Sequence, residues 1–165
     1  MHTARLWHEL QATVPPDVTV NPAIFATDCT HVTNYSGDGK MRPMYMSTGH
    51  IKKAIRNKPS RRAFLVVAFY PECKFAKTVF PTATQQKDMP GRLRMRLFHA
   101  CTKILLETMQ PYQFKSIEMV DPDGNVRLQR IFPAMIITDK PDQNLNAAIN
   151  QNWCIPCLAE TSDLG

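Results

Sequence analysis

Apolar and polar positions divide the 165-residue chain into short apolar runs and one long helical stripe. Over residues 3–13, Leu6, Trp7 and Leu10, with Val14 beyond, fall on one side of a helix that Pro15-Pro16 stops. A strand is predicted at about 22–28, followed by a polar, turn-rich stretch, Asn34–Lys40. A second strand is predicted at 42–48, closed by Gly49. A basic segment follows at 50–62, one helical turn and a loop around Pro59. Ala63–Tyr70 is apolar throughout and is expected to be a strand buried on both faces.

Residues 71–88 read as loop, and Asp88 with Pro90 opens a long helix over about 91–110, stopped by Pro111. Leu93, Leu97, Cys101, Ile104, Leu105 and Met109 are spaced for its inner face. Ser116–Val120 and Asn125–Gln129 flank Asp121-Pro-Asp-Gly124, a hairpin signal. Ile131–Thr138 makes the last apolar strand, and a short helix is expected in the tail.

Three leading strands, a helix, then a strand returning beside the first describe a ribonuclease-H-like α/β fold. Its mixed sheet has flanking helices, and its first and fourth core strands are parallel neighbours. The long helix supplies the crossover that parallel pairing requires. A chain of this size holds one domain with a real core. Hydrophobic residues at 44% and charged residues at 21% exclude wholesale disorder. No apolar run approaches the roughly 18 residues of a membrane span. The polar N-terminus does not resemble a signal peptide, so an intracellular setting with five reduced cysteines is expected.

Lysine and arginine number 20 against 14 acids, a net charge of +6. Lys52, Lys53, Arg56, Lys58, Arg61 and Arg62 form one cluster and Arg92, Arg94 and Arg96 another. Such clusters suit the phosphates of nucleic acid; a solvated face or a nuclear localisation segment accounts for them equally well.

Two acids end apolar runs: Asp28 after Ala23-Ile-Phe-Ala-Thr, and Asp139 after Pro133-Ala-Met-Ile-Ile-Thr. A carboxylate at the end of a buried strand calls for compensation, usually a cation. Two from adjacent strands can share divalent ions for phosphoryl transfer. Asp is also a common turn former, and both residues can simply open loops.

Several stretches carry a resemblance: Asp28-Cys-Thr-His-Val-Thr-Asn-Tyr-Ser-Gly-Asp38, Pro43-Met-Tyr-Met-Ser-Thr48, Ile55-Arg-Asn-Lys-Pro-Ser60, Arg96-Leu-Phe-His-Ala-Cys101, Arg130-Ile-Phe-Pro-Ala134, Asp139-Lys-Pro-Asp-Gln143 and Asn152-Trp-Cys-Ile-Pro-Cys157. In order and spacing the chain resembles the Plavaka-type transposases of the Kyakuja–Dileera–Zisupton group, over about residues 5–158. Cys29 stands where that family usually has Lys, and His50 where it has Asn.

The resemblance implies a DDE/D catalytic domain that cleaves and transfers DNA strands at transposon ends, in the nucleus. Asp28 and Asp139 stand where the first two acids are expected, holding Mg²⁺ or Mn²⁺. The third acid lies farther downstream in such proteins than residue 165. Residues 1–165 are therefore expected to be one partial domain, incomplete at its C-terminal side. The rival is a non-catalytic, transposase-derived DNA-binding remnant. Self-association is left open, and no membrane partner is implied.

Cys154 and Cys157 have the spacing of half a tetrahedral zinc site, to be completed in a full-length context; a CxxC pair can equally be redox-active or incidental. Around the acids, His31 suits a phosphate or a structural hydrogen bond, and Asp142 an assisting carboxylate or a turn. Asp38, Asp121 and Asp123 read as loop residues, His99 and Cys101 as core or surface, and Glu160 is not where a catalytic acid is expected.

Overall fold

The computed structural model describes residues 4–32, 39–149, 153–157 and 159. Asp38, Glu160 and most of the Asn34–Lys40 turn stretch lie outside them. The chain divides into two compact units, one of Met1–Ala26, Met44–Ala68 and Lys103–Ile137, the other of Thr27–Pro43, Phe69–Thr102 and Thr138–Gly165.

The first unit carries most of a mixed sheet. Its strands are β1 (Val18–Thr27), β3 (Lys40–Thr48), β4 (Leu65–Tyr70), β5 (Ile117–Val120) and β6 (Val126–Ile137). The order runs β3-β1-β6-β5, with β4 also paired to β3. β1 and β6 run parallel, in register from Val18↔Leu128 to Ala26↔Ile137. The first strand and the returning strand are thus parallel neighbours, as the element order predicts. β1 is central and nearly continuously buried, with Val20, Ile24 and Phe25 at or below 1% exposure beside Met44 of β3. Helix α1 (Arg5–Ala12) packs Leu10 against Val14, Val18 and Val20.

Register in so apolar a sheet is held by a buried polar ladder. Asn21 Nδ2 donates to Gln129 Oε1 at 2.8 Å, and Thr48 Oγ1 donates to Asn21 Oδ1 at 2.5 Å, tying β3, β1 and β6 together. A one-residue slip would strand the buried Asn21 and Gln129 side chains without partners. The register shifts between Ala23 and Ile24, opposite Pro133 to Met135. Pro133 has no N–H for the ladder, and a bulge absorbs it.

Three expectations are corrected in this unit. β4 is not buried on both faces: Leu65, Val66, Val67 and Phe69 are exposed. An unbroken apolar run reports low polarity, and on an edge strand nothing need cover it. The hairpin strand and the last apolar strand are one 12-residue strand, β6, because the bulge lets Pro133 sit inside it. On the long helix, Ile104 points to solvent at 64% exposure. The basic segment forms α2 (Lys53–Arg56) and a 3-10 turn, Pro59–Arg61.

In the second unit, β2 (Thr30–His31) pairs antiparallel with the start of β3, Thr30 opposite Met41. Helix α3 (Ala83–Met109) contributes its residues up to Thr102. It begins well before Asp88 and runs through Pro90. Thr82 starts it: its hydroxyl accepts the Gln85 N–H at 3.2 Å, while its carbonyl accepts Gln86 N–H at 2.9 Å. Helix α5 (Lys140–Asn146) follows β6, capped by Asp139. The short α4 (Pro111–Phe114) lies in the first unit.

Candidate functional site

Both strand-end acids fall in the second unit. Continuing the parallel register past its last pair, Ala26↔Ile137, sets Thr27 level with Thr138 and Asp28 level with Asp139. Neighbouring strands lie about 4.8 Å apart, so the two Thr-Asp steps set out from adjacent points at the end of the ladder. Asp28 and Asp139 are exposed. Strand alternation turns the preceding threonines the other way: the Thr27 and Thr138 hydroxyls are buried and meet no hydrogen-bond partner among the described residues. Two orphaned hydroxyls at one strand end mark a polar cradle that the chain leaves unsatisfied.

Asp139 has a second task. It is the N-cap of α5, where its Oδ1 accepts the Asp142 N–H at 3.1 Å. Pro141, in the first turn, suits a helix start. Asp142 is not the turn residue considered from the sequence. It is buried, and its Oδ2 lies 2.5 Å from Arg42 Nη1. Arg42 also donates through Nε to Glu72 Oε1 at 2.6 Å and lies over the Phe98 ring, 5.6 Å from its centroid. Burial by itself favours a neutral guanidinium. The hydrogen bonds and charges of Asp142 and Glu72 outweigh it, so the Arg42 pKa is raised above its ordinary value. β3 thus anchors α5 through a buried ion pair, and α5 fixes the backbone that Asp139 caps.

Beside this hub lies a cavity of about 220 Å³, lined by Arg42, Glu72, Tyr70, Phe98, Gly91 and Arg94, among others. The Tyr70 and Phe98 rings meet edge to face at 5.0 Å, and the Tyr70 hydroxyl lies 3.1 Å from that of Thr102. Burial is the first cause of a raised Tyr70 pKa.

The remaining predicted residues are dispersed. Lys52, Lys53, Lys58, Arg61 and Arg62 are exposed in the first unit, whereas Arg56 is half-buried with Nη1 donating to the Ile51 carbonyl at 3.5 Å. Arg92, Arg94 and Arg96 are exposed on α3, and His31 is exposed on β2. His99 is half-buried with its ring against Phe98. In the tail, Cys154 is half-buried and Cys157 exposed, and the Cys154 N–H donates to the Ala159 carbonyl at 2.8 Å. The Cys157 thiol pKa is lowered, first by the Ala159 N–H and then by the Cys154 thiol. Among the described residues no group of three or more His, Cys, Asp and Glu side chains is placed to hold a metal ion. No described helix is long and apolar enough to cross a membrane.

Sequence reasoning missed Arg42 and Glu72 as the partners that hold Asp142 and the cavity beside it. The Asp139-Lys-Pro-Asp142 spacing was a readable cap signal, an Asp N-cap with Pro in the first turn. Nothing local announces that Arg42 and Asp142 meet across a hundred residues.

The family model described as Plavaka transposase matches residues 1–165, the whole chain. The chain belongs to the Plavaka transposase family. No curated protein and no solved structure matches it. Membership suggests a transposase function, and a transposase acts on DNA.

Proposed function

We propose that this Plavaka transposase chain is a ribonuclease-H-like catalytic part whose Asp28 and Asp139 hold Mg²⁺ or Mn²⁺ for cleavage and transfer of DNA strands. The observation that supports this reading is that both Thr-Asp steps directly follow Ala26↔Ile137, the last pair of two adjacent parallel strands. The residues suit the ion. Magnesium keeps several waters and takes only one or two protein carboxylates, and Asp28 and Asp139 are both exposed and offer hard oxygens. A bound ion of this kind stabilises the charge that develops on phosphoryl oxygens and lowers the pKa of its water.

The chain's own residues do the rest. Asp28 and Asp139 present hard oxygen ligands on rigid strand ends. Arg42 and Asp142 hold α5, and with it the cap geometry of Asp139. Lys52, Lys53, Lys58, Arg61 and Arg62, with Arg56, contact DNA phosphates without reading sequence. The same proposal places the protein in the nucleus. It assigns Cys154 and Cys157 to half of a zinc site completed by ligands from elsewhere.

One observation favours a second reading, a DNA-binding remnant without catalysis. Asp139 caps α5, a role that retains an aspartate with no metal present.

The test is titration of Mg²⁺ and Mn²⁺ into the wild type and into Asp28→Ala/Asp139→Ala, following thermal stability and nicking of supercoiled plasmid. Metal stabilisation that disappears in the double variant supports the carboxylate pair. A folded wild type with no metal response overturns it and leaves the remnant.

A further inference from the structure

We propose that the cavity beside Arg42 receives a single nucleobase swung out of the DNA stack. The proposal rests on the reading of this chain as a DNA-handling protein, but not on metal binding by Asp28 and Asp139.

Size limits the occupant first. At about 220 Å³ the cavity falls below the roughly 300–1,000 Å³ typical of sites for drug-sized ligands, and suits one heterocycle. Charge weighs against a phosphate next. Arg42, Arg94 and Glu72 line the cavity, and Arg42 is already engaged by Glu72 and by Asp142, which leaves Arg94 alone to meet an anion. The walls then offer a neutral ligand the Arg94 guanidinium as donor, the Glu72 carboxylate as acceptor, and the apolar edges of Tyr70 and Phe98. Donors and acceptors on the edge of an apolar slot are the complement of a base. An exocyclic amine suits Glu72, which favours adenine, cytosine or guanine over thymine.

Gly91 supplies an independent sign. Glycine inside a helix costs about 1 kcal/mol relative to alanine. Nothing in the protein requires it here, since a Cβ at Gly91 meets no atom within 4 Å. The residue keeps the cavity wall bare. Arg92 and Arg96 are exposed on the same stretch of α3, available to the phosphates on either side of an extruded nucleotide.

The experiment measures binding, in EDTA, of two labelled duplexes of equal length, one fully paired and one with a single unpaired adenine. Anisotropy should show the wild type holding the unpaired duplex about tenfold tighter, the scale of one good hydrogen-bonded base contact. Gly91→Met fills the cavity and removes a helix-destabilising residue, so the preference should vanish while paired-duplex affinity stays unchanged. Gly91→Ala, which leaves the cavity open, should keep it. Equal affinity of the wild type for both duplexes, or a preference that survives Gly91→Met, overturns the base pocket alone. Binding to neither duplex overturns the DNA reading with it, whatever the metal titration shows.

Discussion

Arg42 and Asp142 meet as a buried ion pair, 2.5 Å between Nη1 and Oδ2, with side chains only 12% and 10% exposed. The pair joins the start of β3 to α5, and Glu72 holds the other edge of the guanidinium at 2.6 Å. Removing Arg42 leaves the buried Asp142 carboxylate without its counter-ion. Arg42→Met should therefore cost about 3 kcal/mol in denaturant unfolding, the scale of a broken buried pair. Arg42→Lys should recover only part of it, because one ammonium cannot serve two carboxylates in the planar fork that guanidinium offers. If Arg42→Met unfolds at the wild-type midpoint, the hub is not what anchors α5.

The strand that carries Asp28 and the hairpin at Asp121 were legible because their signals are local: a run of apolar residues, a turn sequence. Parallel pairing of β1 with β6 followed from order alone, since a long helix between strands leaves little other choice. Three features escaped for physical reasons. β4 has the composition of a core strand, yet burial depends on what covers a face, and apolar residues such as Leu65 and Phe69 stand in solvent. α3 runs through Pro90, because losing one intrahelical bond is tolerable in a 27-residue helix with a good cap at Thr82. The Arg42 hub is a tertiary event between residues far apart in sequence, and only the fold brings them together.

The end of α5 is strained in a way that can be relieved. Ala148 has φ of 56°, with its N–H donating to the Leu145 carbonyl and the Ile149 N–H to that of Asn144. This is the Schellman arrangement, in which the left-handed position normally belongs to glycine. Ala148→Gly should stabilise the protein by about 1 kcal/mol, the penalty an L side chain meets there. Thermal unfolding at neutral pH reads it directly, and an unchanged or lower midpoint would contradict it.

The hairpin turn should be acid-sensitive. Arg127 donates to Asp121 at 2.6 Å, and the Asn125 and Asp123 N–H groups bond the same carboxylate. Arg127 first, then these amides, hold the Asp121 pKa at about 2, below its ordinary 3.8. A pKa depressed on folding means that the unfolded chain binds the proton more readily. The stabilisation is therefore complete above about 3.8 and disappears as pH falls through about 2. Asp121→Asn should destabilise the protein above pH 4, and the gap should close as pH falls below about 2. A stability gap that persists undiminished at the acid end would contradict this.

Cys157 should outpace Cys154 in alkylation. It is the exposed member of the pair, and the Ala159 N–H and the Cys154 thiol favour its thiolate, the reactive form. Iodoacetamide labelling at pH 7 followed by peptide mapping should find Cys157 modified first. Bound zinc should protect both residues if the half-site reading is right, and protection of neither removes it.

Asp139 combines a cap with a proposed metal ligand, and the two roles separate by substitution. Asparagine caps a helix about as well as aspartate, whereas alanine costs about 1 kcal/mol. Asp139→Asn should therefore unfold close to the wild type and Asp139→Ala earlier, whatever the metal does. The carboxylate matters only to the ion, since a neutral amide is a weak partner for a hard divalent cation. Under the catalytic reading, Asp139→Asn loses the Mn²⁺-dependent gain in thermal stability while its metal-free stability is intact. Under the remnant reading both proteins respond to Mn²⁺ alike, because the aspartate is there for the helix. Asp28 supplies the control from the other strand. It caps no helix, so Asp28→Asn should leave metal-free stability untouched and abolish the metal response as fully as Asp139→Asn does.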